Sequence, residues 1–440
     1  MNKDTRDLAA WSLKHAKTAG ADGCRVSIYT DRRVEVSYRE RKPENIKEAK
    51  RNYLTIDVFV DGRFSNQSTS DLRPAAMKDF ISNAVVTTKM LAEDPFRSLP
   101  DAKYYKGRAE TDLGIFDASH KAFSPEDRHE IVKAMEAACL GKGGDKVISV
   151  TASCRDTAIE ALMLSSNGFE GYQTQTYYTA GASMTAQGEG DRRPNGYNYM
   201  TSVQRSGLPS PNAIGVGAAE RTLELIGATK IKTETLPIII ENRNASRLLN
   251  GLLAGMYGSN IQQKRSFLAD MKGKKIGSDQ FTVIDDPLIK GGLGSQLFDN
   301  DGITAQRRTM IDKGVLKEFW VDWYYSRKLG WEPTSGRPAN VVIPPGKRSV
   351  EEIMKDLGRG ILITGFIGGN SNSTTGDTSV GILGQLFDEG KTVQPVSEMN
   401  IADNHLEFWQ KLAEVGNDPW PYSSFRTPSL VFTDVVVSGA

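Results

Sequence analysis

The sequence predicts an α+β fold. Residues 1–228 read as an N-terminal α/β-type domain with a mixed or antiparallel sheet. Residues 229–440 read as a C-terminal β-rich, barrel-like domain with helices. Three observations predict this. Helix-type and strand-type hydrophobic periods alternate over residues 1–90. Long strand-type runs then follow one another between residues 146 and 186, with an Asn167-Gly168 turn between two of them, as in an antiparallel meander. Beyond residue 236, short β-type runs are joined by tight turns such as Lys313-Gly314 and Glu389-Gly390, which suits a strongly curved or closed sheet.

The first helix starts polar and runs to about Gly20. Val34, Val36 and Tyr38 alternate as a half-buried strand, and so do Leu54, Ile56, Val58 and Val60, followed by an Asp61-Gly62 hairpin turn. Ser70-Asp71 opens a helix carrying Phe80, Ile81, Ala84 and Val85, which ends before Pro95. Ser124-Pro125-Glu126-Asp127 is a helix start, with an N-cap, proline in the first turn and acids on the dipole; that helix ends at Gly141. Strands follow at 146–153, 157–166 and 172–186. Residues 188–212 are rich in Gly, Pro, Asn and Ser and read as a long loop at the domain boundary, with a helix near 218–226 after it.

In the second half, 236–241 is a buried strand that enters a helix through caps at Asn242 and Asn244. Further strands fall at 281–285, 303–311, 315–320, 361–366, 380–387 and 430–437, and helices at 351–357 and 404–414.

Composition excludes several classes of function. The 440 residues are 39% hydrophobic and 25% charged, as in ordinary globular chains. Lys and Arg number 55 against 54 Asp and Glu, a net charge of +1, so direct nucleic-acid binding is not expected. The N-terminus has no apolar secretory core, and the longest apolar runs, such as 236–240, fall far short of a membrane span. A cytoplasmic location with no membrane partner is the expectation. Cys24, Cys139 and Cys154 form no CxxC pair and read as small buried hydrophobes.

The search for chemistry returns little from the usual motifs. His15, His120, His129 and His405 have no metal-ligand spacing and read as surface or capping residues; neither HExxH nor GxSxG occurs. The segment GGNSNSTTGD at 368–377 lacks the lysine of a phosphate loop. It reads as a polar hairpin, solvated or in contact with a peptide or partner through Asn370, Ser373, Thr374, Gly376 and Asp377. Asp299 and Asp301 in FDNDG fit a strand-entry turn better than a calcium loop, because the glycine comes too early. Asp285-Asp286-Pro287 fits an ordinary turn.

RLLNGLLAGMYGSN, residues 247–260, is the most unusual stretch. Leu248, Leu249, Leu252, Leu253 and Met256 form a helical apolar stripe. Gly251, Ala254, Gly255 and Gly258 form a second face of small residues, although each interior glycine costs ~1 kcal/mol relative to alanine. Such a face admits another backbone at close range.

Several long motifs in one order make the chain resemble the TldD/PmbA family, whose PmbA-type members are also called TldE and carry the label of a DNA gyrase modulator. They are Ala21-Asp22, VFVDGRFSNQSTSDL at 58–72, the FDNDG element and its continuation at 298–316, GILITGFIGGNSNSTTGDTSVG at 360–381, PVSEMNIADN at 395–404 and VGNDP at 415–419. The resemblance implies a cytoplasmic two-subunit peptidase. Its TldD-type subunit carries HExxxH on a helix after a buried strand and two leucines, and a further cysteine ligand near the C-terminus. Here the leucines are Leu248 and Leu249, and the three motif positions are Asn250, Gly251 and Gly255. No cysteine follows Cys154.

The resemblance therefore implies a non-catalytic PmbA-type subunit with no metal of its own, zinc being expected only in a TldD-type partner. The pair would act on unfolded peptides and small proteins or in peptide maturation. Whether this chain is itself an enzyme stays open at this point. A stand-alone peptide-binding or scaffold homodimer is one alternative, and an enzyme using Asp299/Asp301 or Asp285/Asp286 is another.

Overall fold

The computed structural model describes residues 3–439. The N-terminal part opens with α1 (Lys3–Thr18), β1 (Gly23–Arg39), β2 (Lys42–Val60), β3 (Arg63–Thr69) and α2 (Pro74–Thr88). The α2 start lies later than Ser70-Asp71, because Asp71 takes the Arg73 guanidinium at 2.8 Å and Pro74 sets the first turn. Next come α3 (Pro125–Gly143), β4 (Val147–Ser165), β5 (Glu170–Ala186), β6 (Asn195–Ser202) and α4 (Pro211–Leu223). The α3 start is a reciprocal capping box: Ser124 Oγ accepts from the Asp127 amide and Asp127 Oδ2 from the Ser124 amide, both at 3.0 Å.

Two expectations fail here for clear reasons. The predicted break in β4 near residues 154–156 does not occur, since both charges find partners, one in β1 and one in α3. Arg155 meets Glu35 at 3.0 Å, and Asp156 takes the buried Arg128 at 2.6 and 2.9 Å. The supposed loop at 188–212 contains β6, paired to β5 from Thr185↔Asn195 to Tyr178↔Ser202. Its glycine serves packing: a Cβ on Gly196 would lie 2.8 Å from the Thr222 amide of α4.

The sheet runs β3-β2-β1-β4-β5-β6, antiparallel throughout. Strands this long serve two cores. Val26, Ile28, Leu54, Ile56 and Val58 pack with α1 and α2, while Val36, Tyr38, Ala152 and Ala180 pack with Val132 and Met135 of α3 and Ile214 and Ala218 of α4. β3 covers β2 only from Leu54 to Val60. All three cysteines are buried and free, and burial pushes their thiols up to between about 11 and about 12, as inert packing residues require.

The C-terminal part continues with β7 (Glu234–Ile240), α5 (Asn242–Leu253), α6 (Gly258–Gln262), β8 (Val283–Asp285), β9 (Arg308–Asp312), β10 (Val315–Leu316), α7 (Trp323–Leu329), β11 (Val341–Val342) and α8 (Val350–Leu357). It ends with β12 (Gly360–Ser371), β13 (Asp377–Asp388), β14 (Lys391–Asn404), α9 (His405–Phe408), β15 (Leu412–Val415), β16 (Phe425–Arg426) and β17 (Leu430–Ser438). The order β14-β13-β12-β7-β17 closes on itself through Asn400↔Ser438 and Ile401↔Val437. This is a five-strand barrel, and β15 pairs with the Leu430–Phe432 end of β17. The α+β, barrel-containing class is as expected. A smaller sheet, β10-β9-β8-β11-β16, packs into the same core.

Strand β14 and helix α7 were not foreseen. The predicted helix at 404–414 is one turn of α9, a 3-10 turn and then β15. The predicted strands at 303–311 and 315–320 shrink to β9 and β10, with Phe319, Trp320 and Val321 buried as irregular chain ahead of α7. Among the described residues no helix is long and apolar enough to cross a membrane.

Candidate functional site

Strand β7 sits between β12 and β17 in the barrel and delivers α5 directly. The helix is not capped by its asparagines. Glu241 is the N-cap residue and makes no side-chain cap; its carboxylate binds Arg221 at 2.6 and 2.7 Å and Asn244 Nδ2 at 2.8 Å. Asn242 Nδ2 donates to the Asp418 carbonyl. The leucines enter the barrel-side core.

Another face of α5 lies along β12 in register. Asn244 Nδ2 donates to the Thr364 carbonyl and Arg247 to the Gly368 carbonyl, each at 2.7 Å. One helical turn further on, Gly251 faces Ser371. A Cβ there would stand 2.7 Å from Ser371 Oγ and 2.7 Å from His405 Nε2. Glycine is required because those two side chains meet in front of it.

His405 is fully buried, not a surface residue. Its Nε2 lies 2.7 Å from Ser371 Oγ, its Nδ1 accepts from Trp409 Nε1 at 3.3 Å, and the Phe267 ring stacks on it. An Nδ1 that accepts from an indole carries no proton. The neutral ring therefore holds its proton on Nε2 and donates to Ser371. Burial lowers the His405 pKa to about 4, with Asp403 opposing. The pair consequently has the wrong polarity for a Ser–His nucleophile, in which the ring nitrogen must accept.

The three motif positions diverge. Asn250 is exposed, Gly251 faces His405 and Ser371, and Gly255 points into Phe267 and Leu268, where a Cβ would stand 3.0–3.1 Å from their side chains. Asn250 and Gly251 diverge as consecutive residues of a helix must, about 100° apart, and Gly255 sits beyond Leu253 in a 3-10 turn, Ala254–Met256. None of the three side chains offers a metal a ligand set, and among the described residues no group of three or more His, Cys, Asp or Glu is placed to hold one. These residues do not fit a zinc centre.

The hairpin between β12 and β13 comes to the same place. The Gly376 carbonyl accepts from the His405 amide, the Ser373 carbonyl accepts from the Phe267 amide, and Asp377 takes Thr375 Oγ1 and Asn404 Nδ2. Asn370 and Thr374 stay exposed. Sequence reading treated α5, the hairpin and His405 as separate features, and missed Ser371 and Trp409. A signal for His405 existed: His405, Phe408 and Trp409 recur at i, i+3, i+4, the spacing of a buried face.

At the N-terminal end of α5, a cleft of about 190 Å³ opens between β6 and β12. It presents Tyr197 and Tyr199 opposite Gly365 and Phe366, with the Arg243 guanidinium 4.1 Å over the Trp420 ring. Both acidic pairs do structural work. Asp285 is buried and accepts from Trp320 Nε1 and the Ala339 amide, both at 2.8 Å, and burial raises its pKa. Asp286 accepts from the Leu288 amide. Asp299 Oδ1 accepts from the amides of Asp301 and Ile303 and so shapes its turn.

Comparison with known proteins agrees with this arrangement. Residues 119–226 match the central domain of the PmbA/TldA metallopeptidases and residues 233–439 their C-terminal domain. The chain is 28% identical over 424 residues to Metalloprotease PmbA of Escherichia coli O157:H7, covering 95% of this chain and 93% of that one. A shorter match, 42% of this chain, reaches a Metalloprotease TldD homolog of Buchnera aphidicola. A Bacteroides thetaiotaomicron crystal structure, of a candidate modulator of DNA gyrase, superposes with a TM-score of 0.97 at 37% identity over the whole of both chains. TldE from Thermococcus kodakarensis shares the fold, with a TM-score of 0.89 at 22% identity over 98% of this chain and all of that one. With both family domains matched along most of its length and a full-length relative at 37% identity, the chain belongs to the PmbA/TldD metallopeptidase family.

Proposed function

We propose that this chain is the PmbA-type (TldE-type), non-catalytic subunit of a two-subunit metallopeptidase, with zinc held by a TldD-type partner. The observation that carries the reading is the packing at Gly251. The position that bears the general base in a catalytic relative has no side chain here, and its space is taken by the Ser371–His405 hydrogen bond. A carboxylate could enter only by displacing a fully buried histidine. The chain's contribution is then architectural: it shapes the cavity and offers surfaces to unfolded peptide. The aromatic cleft between β6 and β12 and the exposed Asn370 and Thr374 of the hairpin are the surfaces proposed for that contact, with Ser373, Gly376 and Asp377 holding the hairpin in position. The complex would act in the cytoplasm on unfolded peptides and small proteins or in peptide maturation.

The test is metal content and cleavage of an unstructured peptide, for the chain alone and co-expressed with an HExxxH-bearing relative. The expected result is no stoichiometric zinc and no cleavage alone, with both appearing in a co-purifying complex. Chelator-sensitive cleavage by the chain alone would overturn the reading.

A further inference from the structure

A polar cavity of about 410 Å³ lies where β5 meets the turns that follow β8 and α7. Its wall includes Asp299, Asp301 and Asp322, the amides of Gln173 and Asn300, and one cation, Arg337. Asp299 is only 8% exposed. Its Oδ1 is occupied by the Asp301 and Ile303 amides, and its Oδ2 has no hydrogen-bond partner. An unpartnered buried carboxylate oxygen is costly, so its retention calls for an occupant that supplies a donor. The other acids are partly engaged: Asp301 with Arg25 at 2.9 Å and Asp322 with the Tyr325 amide at 2.7 Å.

Three lining carboxylates against one lining guanidinium favour a cation. A bare metal ion is disfavoured, since no group of three or more ligands among the described residues is placed to hold one. The volume instead falls in the range of small-molecule sites, and the amides supply donors and acceptors around a charged head. We propose that this cavity binds a small polar molecule or side chain bearing an ammonium or guanidinium group, one N–H of which donates to Asp299 Oδ2 once the wall yields slightly, since that oxygen is enclosed in this structure. Burial, reinforced by Asp301, holds the Asp299 carboxyl above the usual carboxylate range, and a cation at Oδ2 relieves both effects. This site shares no residue with the surroundings of Gly251.

The test is calorimetric titration of the full chain with agmatine, with a capped Ala-Arg-Ala tripeptide and with the neutral N-butylurea. Saturable binding of agmatine without N-butylurea is expected, weakened about tenfold or more in Asp299→Asn, as for loss of a charge-assisted bond. Binding of agmatine but not the tripeptide assigns a free small cation; binding of both assigns a peptide side chain as well. Should Asp299→Asn unfold, Gln173→Trp fills the cavity from β5 and must also abolish binding. No saturable binding, equal binding of N-butylurea, or an affinity unchanged in the variants would overturn the proposal and leave Asp299 Oδ2 to internal hydration.

Discussion

Ser371 Oγ and His405 Nε2 meet at 2.7 Å in front of Gly251, and the imidazole is the donor. The glycine and the hydrogen bond are one device: each side chain occupies space that a Cβ at 251 would claim. This makes Gly251 the most tightly enclosed of the three glycines in residues 247–260.

Gly251→Ala should therefore destabilise the chain, although alanine is the better helix former. The propensity gain is ~1 kcal/mol, while overpacking a rigid site costs typically ~1–3 kcal/mol, leaving a net loss of up to about 2 kcal/mol. Urea unfolding of the variant reads this directly, and a stabilised variant would show that His405 yields easily.

The histidine should also make stability depend on pH. Its folded pKa is lowered from 6.5 to about 4 by burial. The folded state thus prefers the neutral ring. Its contribution is complete above about pH 6.5 and is lost as pH falls towards 4, by at most about 3 kcal/mol. His405→Gln, whose amide cannot titrate, should lower stability at pH 7 yet lose less than wild type between pH 7 and pH 4.5. Parallel pH profiles for the two proteins would refute the assignment.

A buried ion pair locks α3 to β4. Arg128 is 1% exposed and binds Asp156 through two bonds. Asp156→Ala leaves that guanidinium unpaired and should cost about 3–5 kcal/mol. The double change Arg128→Met with Asp156→Leu should cost much less than the single one. Equal losses in denaturant unfolding would show that packing, not charge, holds this contact.

At the start of α3, Ser124→Ala removes one half of the capping box and should cost ~1 kcal/mol. Ser124→Gly should cost only a few tenths. Thermal unfolding of the two variants gives the ranking.

Much of the fold was legible because its signals are local. Ser124-Pro125 announced α3, alternating apolar residues announced β1 and β2, and strand-type runs announced β5 and the barrel strands other than β14. What escaped depended on distant partners. Arg155 and Asp156 look like a strand break until Glu35 and Arg128 are placed beside them. Gly196 looks like a loop residue until α4 packs on it. At the candidate site, the motif positions Asn250, Gly251 and Gly255 were readable on the chain, but the 3-10 turn that carries Gly255 was not, since it has no sequence mark. Nor could residue spacing bring Ser371 and His405 together, because their meeting follows from the pairing of β12, β13 and β14, which sets Ser371 against Thr378 and Thr378 against Asp403.

The partial cover of β2 has a further consequence. Among the described residues, that strand has β1 on one side and no strand on the other from Lys42 to Tyr53. An open edge of this length would ordinarily recruit a second molecule and grow into an aggregate. Here it carries Pro43, which cannot donate, and a dense run of charge, Lys42, Glu44, Lys47, Glu48, Lys50 and Arg51. Pairing two such edges would require stripping water from many ions at once. The exposed ribbon is thereby insulated against self-association, and the molecule can expose a long unpaired backbone without polymerising through it.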